Sequence, residues 1–155
     1  MIIKVEHIGI AVKDLSLSGS LFERLLGIKP YRSENVASEG VTTLFFKAGK
    51  TKIELVEASH SLSPVAKFIE TRGEGVHHIA LEVDDIKKEM KRIVKAGFTL
   101  INKKPLRGAE NKLVCFIHPK SAGGVLVEIC QKGKWEREKG SGSSSSSKKR
   151  TNNTQ

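Results

Sequence analysis

Apolar and polar positions alternate in two stretches of the chain that resemble each other. The first reads VEHIGIAV at 5–12, and the second reads VHHIALEV at 76–83. Alternation with a period of two is typical of a β-strand with one buried face. The identical positions share one offset of 71 residues: Val5/Val76, His7/His78, Ile8/Ile79 and Val12/Val83. The pattern therefore predicts two similar halves, each of which begins with a strand.

A helix is predicted after each of these strands. Asp14 and Asp85 are suited to cap helices at 14–26 and 85–96, where apolar residues recur at helical spacing and a glycine follows. A shorter helix is predicted between the halves, with Ser63 as its cap, Pro64 at its first position and Gly73 at its end. Apolar runs predict further strands at 41–48, 51–57, 98–103, 113–119 and 124–130.

The order of these elements predicts an α+β domain at residues 1–132, built of two modules at about 3–58 and 75–131. Each module is expected to contain a strand, a helix, two strands and one further strand. Residues 133–155 are a basic tail rich in Gly and Ser. We predict that this tail is disordered, because too few apolar residues are present to offset the entropy of ordering it.

The charge and the cysteines narrow the class of protein. The net charge is +10, and this moderately basic balance suits an anionic ligand such as a phosphorylated cofactor. Nucleic acid is not expected as a partner, because aromatic residues make up only 5% and the basic residues are scattered. No apolar run reaches the ~18–20 residues that span a membrane, and no signal peptide is recognisable. Cys115 and Cys130 lie in apolar runs, which suits reduced core residues in a cytoplasmic protein.

The repeat places one His and one Glu in each half. Ile53-Glu54-Leu55 follows the first repeated strand, and Val127-Glu128-Ile129 follows the second at an offset of 74. A carboxylate inside an apolar run must be paired or bound. If the halves pack with twofold pseudosymmetry, the side chains that converge are His7, Glu54, His78 and Glu128. Two imidazoles and two carboxylates suit a divalent ion, with Mn, Fe, Co, Ni and Zn all acceptable.

The strand period also separates two adjacent histidines. Neighbouring residues of a regular strand point to opposite faces, so His77 and His78 are not expected to share a site. His78 matches His7 in the repeat, whereas His77 matches Glu6. The sequence therefore predicts that His78 is a ligand and that His77 is not.

Four longer stretches resemble the vicinal oxygen chelate superfamily, which includes glyoxalase I, and within it the methylmalonyl-CoA epimerases. They read HIGIAVKDL at 7–15, TKIELVE at 51–57, SPVAKFIETRGEGVHHIALEVDDI at 63–86 and FIHPKSAGGVLVEIC at 116–130. The resemblance covers about residues 3–131. It implies paired βαβββ modules that form an open, cupped, mixed sheet around a metal site, the glyoxalase-like fold. It also implies a homodimer.

The resemblance implies a reaction and residues for it. The reaction would interconvert (2R)- and (2S)-methylmalonyl-CoA by removal and return of the α-proton through an enolate. The metal ligands would be His7, His78, Glu128 and Glu54, the last at a position where some members have Gln. Glu128 and Glu54 are expected to move the proton, with a bound water as an alternative to Glu54. Both carboxyls are expected to be ionised, with a pKa near ~4.3. The residues expected to contact the acyl-CoA are His118, Lys120, Ser121 and Lys112.

The chain departs from the family at one position that concerns catalysis. Some members have a Glu three residues after the glycine of a Gln-Gly-Val segment, but Thr43 stands at that distance from Gly40. Glu39 is close by but out of register. Two other functions fit the same resemblance. One is a glyoxalase I-type lyase that acts on a glutathione hemithioacetal, and the other is a non-catalytic module that binds a small molecule.

Overall fold

Both halves of the chain fold in the same order of elements in the computed structural model, which describes residues 1–133. The first half consists of β1 (Ile2–Ala11), α1 (Leu15–Leu26), β2 (Arg32–Val36), β3 (Val41–Ala48) and β4 (Thr51–Ala58). α2 (Pro64–Arg72) connects it to the second half. The second half consists of β5 (Gly75–Val83), α3 (Ile86–Lys95), β6 (Leu106–Arg107), β7 (Leu113–Ile117) and β8 (Val127–Gln131). The predicted pair of βαβββ modules is confirmed.

The eight strands form one mixed sheet in the order β2-β3-β4-β1-β5-β8-β7-β6. β1 pairs in parallel with β4, and β5 pairs in parallel with β8. The two modules meet where β1 and β5 pair in antiparallel fashion. Since β1 and β5 are equivalent strands, a pseudo-twofold axis runs between them, and equivalent residues of the two modules face each other across it.

The helices begin where the sequence predicts. Asp14 accepts a hydrogen bond from the backbone N–H of Leu17 at 2.9 Å, and Asp85 accepts one from Lys88 at 3.0 Å. Ser63 caps α2 in the same way, with Pro64 at the first helical position. These caps satisfy N–H groups that the first turn of a helix leaves without a partner.

The helices cover both faces of the sheet. α1 packs over Leu55 and Phe46, and α3 packs on the equivalent side of the second module against Ile129. α2 packs over Val56, which lies on the other face because neighbouring strand residues alternate. Among the described residues, none of the helices combines the length and the apolar character that crossing a membrane requires.

The strand prediction is wrong at 98–103. Leu100 forms only an isolated bridge with Ile117, and β6 lies further along the chain. β7 ends before Pro119, because proline has no N–H to donate to a neighbouring strand. β8 begins at Val127, later than expected, because a turn with positive φ at Gly123 and Gly124 precedes it. The predicted tail from residue 134 onward, including Trp135, lies outside the described residues.

Two β-bulges interrupt the pairing of β1 with β5 beside the predicted ligands. On β1 the register breaks between Val5 and His7, which makes Glu6 an extra residue. On β5 it breaks at the equivalent place, which makes His77 an extra residue. A bulged residue departs from the strict alternation of a strand. The prediction that His77 and His78 point to opposite faces is therefore wrong, because their Nδ1 atoms lie 2.9 Å apart.

Candidate active site

The four predicted metal ligands stand in two rows across the central strands. Glu54 of β4 and His78 of β5 both pair with one residue of β1. His7 of β1 and Glu128 of β8 both pair with one residue of β5. Directly paired residues project from the same face of a sheet. The two rows therefore bring all four side chains together on one face, beside the pseudo-twofold axis.

The residue in the middle of each row is small. Gly9 lies between Glu54 and His78, and Ala80 lies between His7 and Glu128. A Cβ atom built on Gly9 would lie 2.1 Å from Cε1 of His78. The ring of His78 therefore rests directly on the backbone of β1, which only glycine permits here.

The donor atoms are close enough to share one ion. Nε2 of His7 lies 3.0 Å from Nε2 of His78 and 3.0 Å from Oε2 of Glu54. Oε2 of Glu128 lies 3.7 Å from Nε2 of His7 and 3.5 Å from Nε2 of His78. Donors about 2.1 Å from a common ion are about 3.0–3.4 Å apart when they occupy neighbouring positions. His7, Glu54 and His78 meet this geometry and form a group that could hold a divalent ion, and the carboxylate of Glu128 lies beside this group.

Each histidine has a partner for its second ring nitrogen. Nδ1 of His7 is bonded to the carboxylate of Glu6, and Nδ1 of His78 contacts Nδ1 of His77. Such bonds select the tautomer in which Nε2 is free to bind an ion, and they hold the ring in place. The two partners are the two bulged residues. They were missed as site residues because the alternation of a regular strand assigns them to the far face. Their signal in the sequence was that Glu6 and His77 are equivalent in the repeat.

Glu6 is itself held by two lysines. Nζ of Lys52 and Nζ of Lys112 both donate to Oε1 of Glu6, and Lys52 also donates to Glu110 at 2.9 Å. Burial alone would raise the pKa of Glu6, but the hydrogen bonds from His7, Lys112 and Lys52 hold it well below its usual range. Glu6 therefore stays ionised and keeps the position of His7.

The two predicted catalytic carboxyls differ in pKa when the protein groups alone are considered. Burial opposes ionisation of Glu54, but the charges and hydrogen bonds of His7 and His78 lower its pKa to about 2. Burial raises the pKa of Glu128 to about 7, and the negative charge of Glu54 adds to this effect. The charges of Glu54 and Glu128 raise the pKa of His7 despite its burial. Without an ion, the pKa values of Glu54 and Glu128 therefore lie on opposite sides of the ordinary value that was expected of both, because the two carboxyls share a buried site.

One of the four residues, His78, lines a cavity of about 340 Å³. His78 and His77 form part of its floor, and Phe116 of β7 adds an aromatic wall. Val65 of α2 and Leu106 of β6 contribute apolar surface from the two modules. A cavity of this kind, apolar with a few convergent polar groups, is typical of a small-molecule site.

Glu39 also reaches this cavity, from the loop between β2 and β3. Burial raises its pKa to about 8, and the negative charges of Glu128 and Glu54 add to the shift. Thr43 is fully buried on β3, and its hydroxyl donates to the backbone oxygen of Glu34 at 3.3 Å. The departure from the family at position 43 is thus accompanied by a carboxyl on the preceding turn.

The predicted acyl-CoA contacts lie in two different surroundings. His118, Lys120 and Ser121 form a turn after β7, where Nδ1 of His118 accepts from the backbone N–H of Lys120 at 3.1 Å. Ser121 binds the backbone of Thr99. Lys112 is 6% exposed, and its ammonium is bound to Glu6. Its charge is therefore neutralised inside the protein rather than offered to a phosphate.

Comparison with known proteins agrees with this geometry. Residues 6–116 match the family model of the glyoxalase/bleomycin resistance protein/dioxygenase superfamily. The chain is 38% identical to the mitochondrial methylmalonyl-CoA epimerase of Dictyostelium discoideum over 130 residues, which is 83% of this chain and 78% of that protein.

Solved structures resemble the fold over most of its length. The methylmalonyl-CoA epimerase of Mycobacterium tuberculosis superposes with a TM-score of 0.82 and 30% identity, covering 85% of this chain and 89% of that one. A variant of the Streptomyces coelicolor epimerase, in complex with 2-nitronate-propionyl-CoA, superposes with a TM-score of 0.79 and 28% identity, covering 84% and 98%. The chain is therefore an epimerase that belongs to the methylmalonyl-CoA epimerase family of the glyoxalase superfamily.

Proposed function

We propose that this epimerase interconverts the (2R) and (2S) epimers of methylmalonyl-CoA with the help of a divalent metal ion. The observation that carries the proposal is the compact group of His7, Glu54 and His78 with Glu128 beside it, from which His78 reaches the cavity. The names and the bound acyl-CoA analogue of the similar proteins support the choice of substrate. The ion would be Co, Mn, Ni, Zn or Fe, since imidazole and carboxylate donors suit all of them.

The reaction requires removal of the proton α to a thioester and its return from the other face. An ion held by these four residues would supply positive charge for the thioester oxygen, where negative charge develops as the proton leaves. We assign the abstraction to Glu128. Its carboxylate lies 3.5 Å from Nε2 of His78, the ligand that lines the cavity.

The surrounding residues prepare this step. Glu6 and His77 fix the tautomers of the two histidines, as described above. Glu54 lies 3.0 Å and 3.3 Å from Nε2 of the two histidines and stays ionised, which suits a permanent ligand. The apolar lining of the cavity would reduce the screening of these charges around a bound substrate.

Exchange of the α-proton tests the proposal. Methylmalonyl-CoA is incubated with the protein in deuterated buffer, and the loss of the α-proton signal is followed by NMR with and without a chelator. We expect rapid exchange that the chelator abolishes, and Glu128→Gln should stop exchange of the epimer whose α-proton faces Glu128. Undiminished exchange with Glu128→Gln would contradict the role of that residue.

The same assay separates the alternative functions. A glyoxalase I-type lyase would convert the hemithioacetal of glutathione and leave methylmalonyl-CoA unchanged. A non-catalytic binding member would bind a ligand and convert neither compound. The assay also tests whether an acyl-CoA is the substrate. Light scattering checks the expected homodimer.

A further inference from the structure

The second proton carrier of an epimerase must face the first one across the substrate. The central strands lie at the floor of the cavity, where His78 lines it, and they carry Glu128 and Glu54 beside His78. Two carboxylates on one floor approach the α-carbon from the same side. A group on the opposite side of the cavity is therefore needed for inversion.

That opposite side is formed where the two edges of the sheet meet. Ser38, on the β2–β3 loop, donates to the backbone oxygen of Arg107 in β6 at 2.7 Å. The backbone N–H of Glu110 donates to Glu34 of β2 at 2.9 Å. β2 and β6 are the first and last strands of the sheet order, so these contacts close the curled sheet. We call the contacts between the β2–β3 loop and the segment from β6 to β7 the seam.

Glu39 lies at the seam and lines the cavity. Its Oε1 would be 3.2 Å from a Cβ atom built on Gly108, so the carboxyl fits against bare backbone of the second module. The left-handed conformation of Gly40, with φ of 64°, makes the turn that directs the preceding residue. Within residues 1–133, the Glu39 carboxyl has neither a hydrogen bond nor an ion pair to another side chain, unlike Glu54.

We propose that Glu39 is the second catalytic acid/base and that it acts on the face of the α-carbon opposite Glu128. This inference rests on the proposed epimerase function. In one direction the α C–H bond breaks, its proton passes to ionised Glu128, and its electron pair moves towards the thioester oxygen. Neutral Glu39 then gives its proton to the other face as the electron pair returns to form the new C–H bond. Glu39 ends ionised and Glu128 protonated, and the reverse reaction uses them in exchanged roles.

The protonation state of Glu39 suits this role. Burial of the carboxyl raises its pKa, which favours the neutral form that can donate a proton. Two carboxyls of which one holds the proton provide an acid and a base in the same site.

Glu39→Gln tests the assignment, with each epimer supplied separately in deuterated buffer. We expect epimerisation to fall by at least about 100-fold. The epimer whose α-proton faces Glu128 should still exchange that proton, with retention of configuration, while the other epimer becomes inert. Metal content and thermal stability should be preserved, and Glu39→Asp should recover part of the epimerisation.

The exposed Glu70→Gln on α2 serves as the matched control and should behave as the wild type in both assays. Epimerisation by Glu39→Gln within about twofold of wild type overturns the assignment. So does an equal loss of exchange for both epimers, which would indicate a role in substrate binding. If the wild-type protein itself exchanges no α-proton, the proposed function fails rather than the role of Glu39.

Discussion

At the scale of single residues, the two bulged positions have the largest effect on the site. Glu6 and His77 occupy equivalent places in the repeat, and each is bonded to Nδ1 of the next residue along the chain. The two hydrogen-bond partners differ chemically, since one is a carboxylate and the other is an imidazole. Burial, with the charge of His78, lowers the pKa of His77 to about 4, so His77 is neutral at physiological pH. A neutral ring can accept a hydrogen bond from His78 and leave Nε2 of that residue free.

His7→Ala or His78→Ala should abolish tight metal binding, because each removes one donor of the compact group. Metal content after purification and titration calorimetry measure the effect. His118→Ala is the matched control, since His118 lies on the turn after β7. A full complement of ion in both ligand variants would disprove the site.

Removal of Glu39 should change how stability depends on pH. Its pKa rises from 4.5 to about 8 on folding, so the folded state binds the proton more tightly than the unfolded state. Wild-type stability should therefore decrease as the pH rises through this window, and Glu39→Gln should lack this decrease. Melting temperatures measured in the presence of a chelator between about pH 5 and about pH 8 should show a growing advantage of the variant. A difference that is constant with pH would exclude a raised pKa.

At the scale of elements, small residues at the middle of β1 and β5 let the ligand rows form. The four ligands come from four adjacent strands, β4, β1, β5 and β8. Each histidine also faces the edge of a phenylalanine ring: His7 with Phe45 at 6.4 Å and His78 with Phe116 at 6.5 Å between centroids. Phe45 pairs with Glu54 and Phe116 pairs with Glu128, so each row continues onto a fourth strand.

Gly9→Ala should weaken metal binding without removing a ligand. The added Cβ would lie within 2.6 Å of three atoms of the His78 ring, so the ring must move off the strand. We expect a loss of affinity of at least about 10-fold, as for other changes that disturb the orientation of a ligand. Titration calorimetry measures it. Gly49→Asn, in the β3–β4 turn, is the control, because Asn tolerates positive φ and nothing lies near that position. Unchanged affinity in Gly9→Ala would show that the ring does not need this contact.

At the scale of the whole molecule, ion pairs join the segment between β6 and β7 to strands of the first module, next to the seam. Lys112 comes from the second module and binds Glu6 of β1. Glu110, which adopts a left-handed conformation with φ of 55°, binds Lys52 of β4 and Tyr31. This network ties the edge of the second module to the strand that carries His7. The position of a metal ligand therefore depends on contacts between residues far apart in the chain.

Lys112→Met should destabilise the fold by about 1–3 kcal/mol, because the buried carboxylate of Glu6 loses one of its two lysines while Lys52 and His7 remain. Urea denaturation measures the change, and Lys87→Met on the exposed side of α3 is the control. If the variant instead kept full stability and showed only a raised KM for the acyl-CoA, Lys112 would be a substrate contact, as first predicted from the sequence.

The sequence by itself determined the parts of this protein that depend on local pattern and on repetition. Alternating strands, capped helices and an internal repeat predicted two modules, each with a strand, a helix, two strands and one further strand, and the family resemblance implied the βαβββ order. The equivalence of the repeated His and Glu positions predicted which four side chains converge. These features depend on the period of side chains along an element and on symmetry, both of which can be read along the chain.

Only the tertiary structure decided the surroundings of those four residues. A β-bulge depends on the register between β1 and β5, so the alternation within either strand could not place Glu6 or His77 at the site. The position of Glu39 depends on the closure of the sheet at the seam, which joins strands that are distant in sequence. The burial of Lys112 against Glu6 likewise depends on contacts between segments that are distant in sequence. Pairing between strands and closure of the sheet are properties of the folded chain, and they determined which neighbours complete the site.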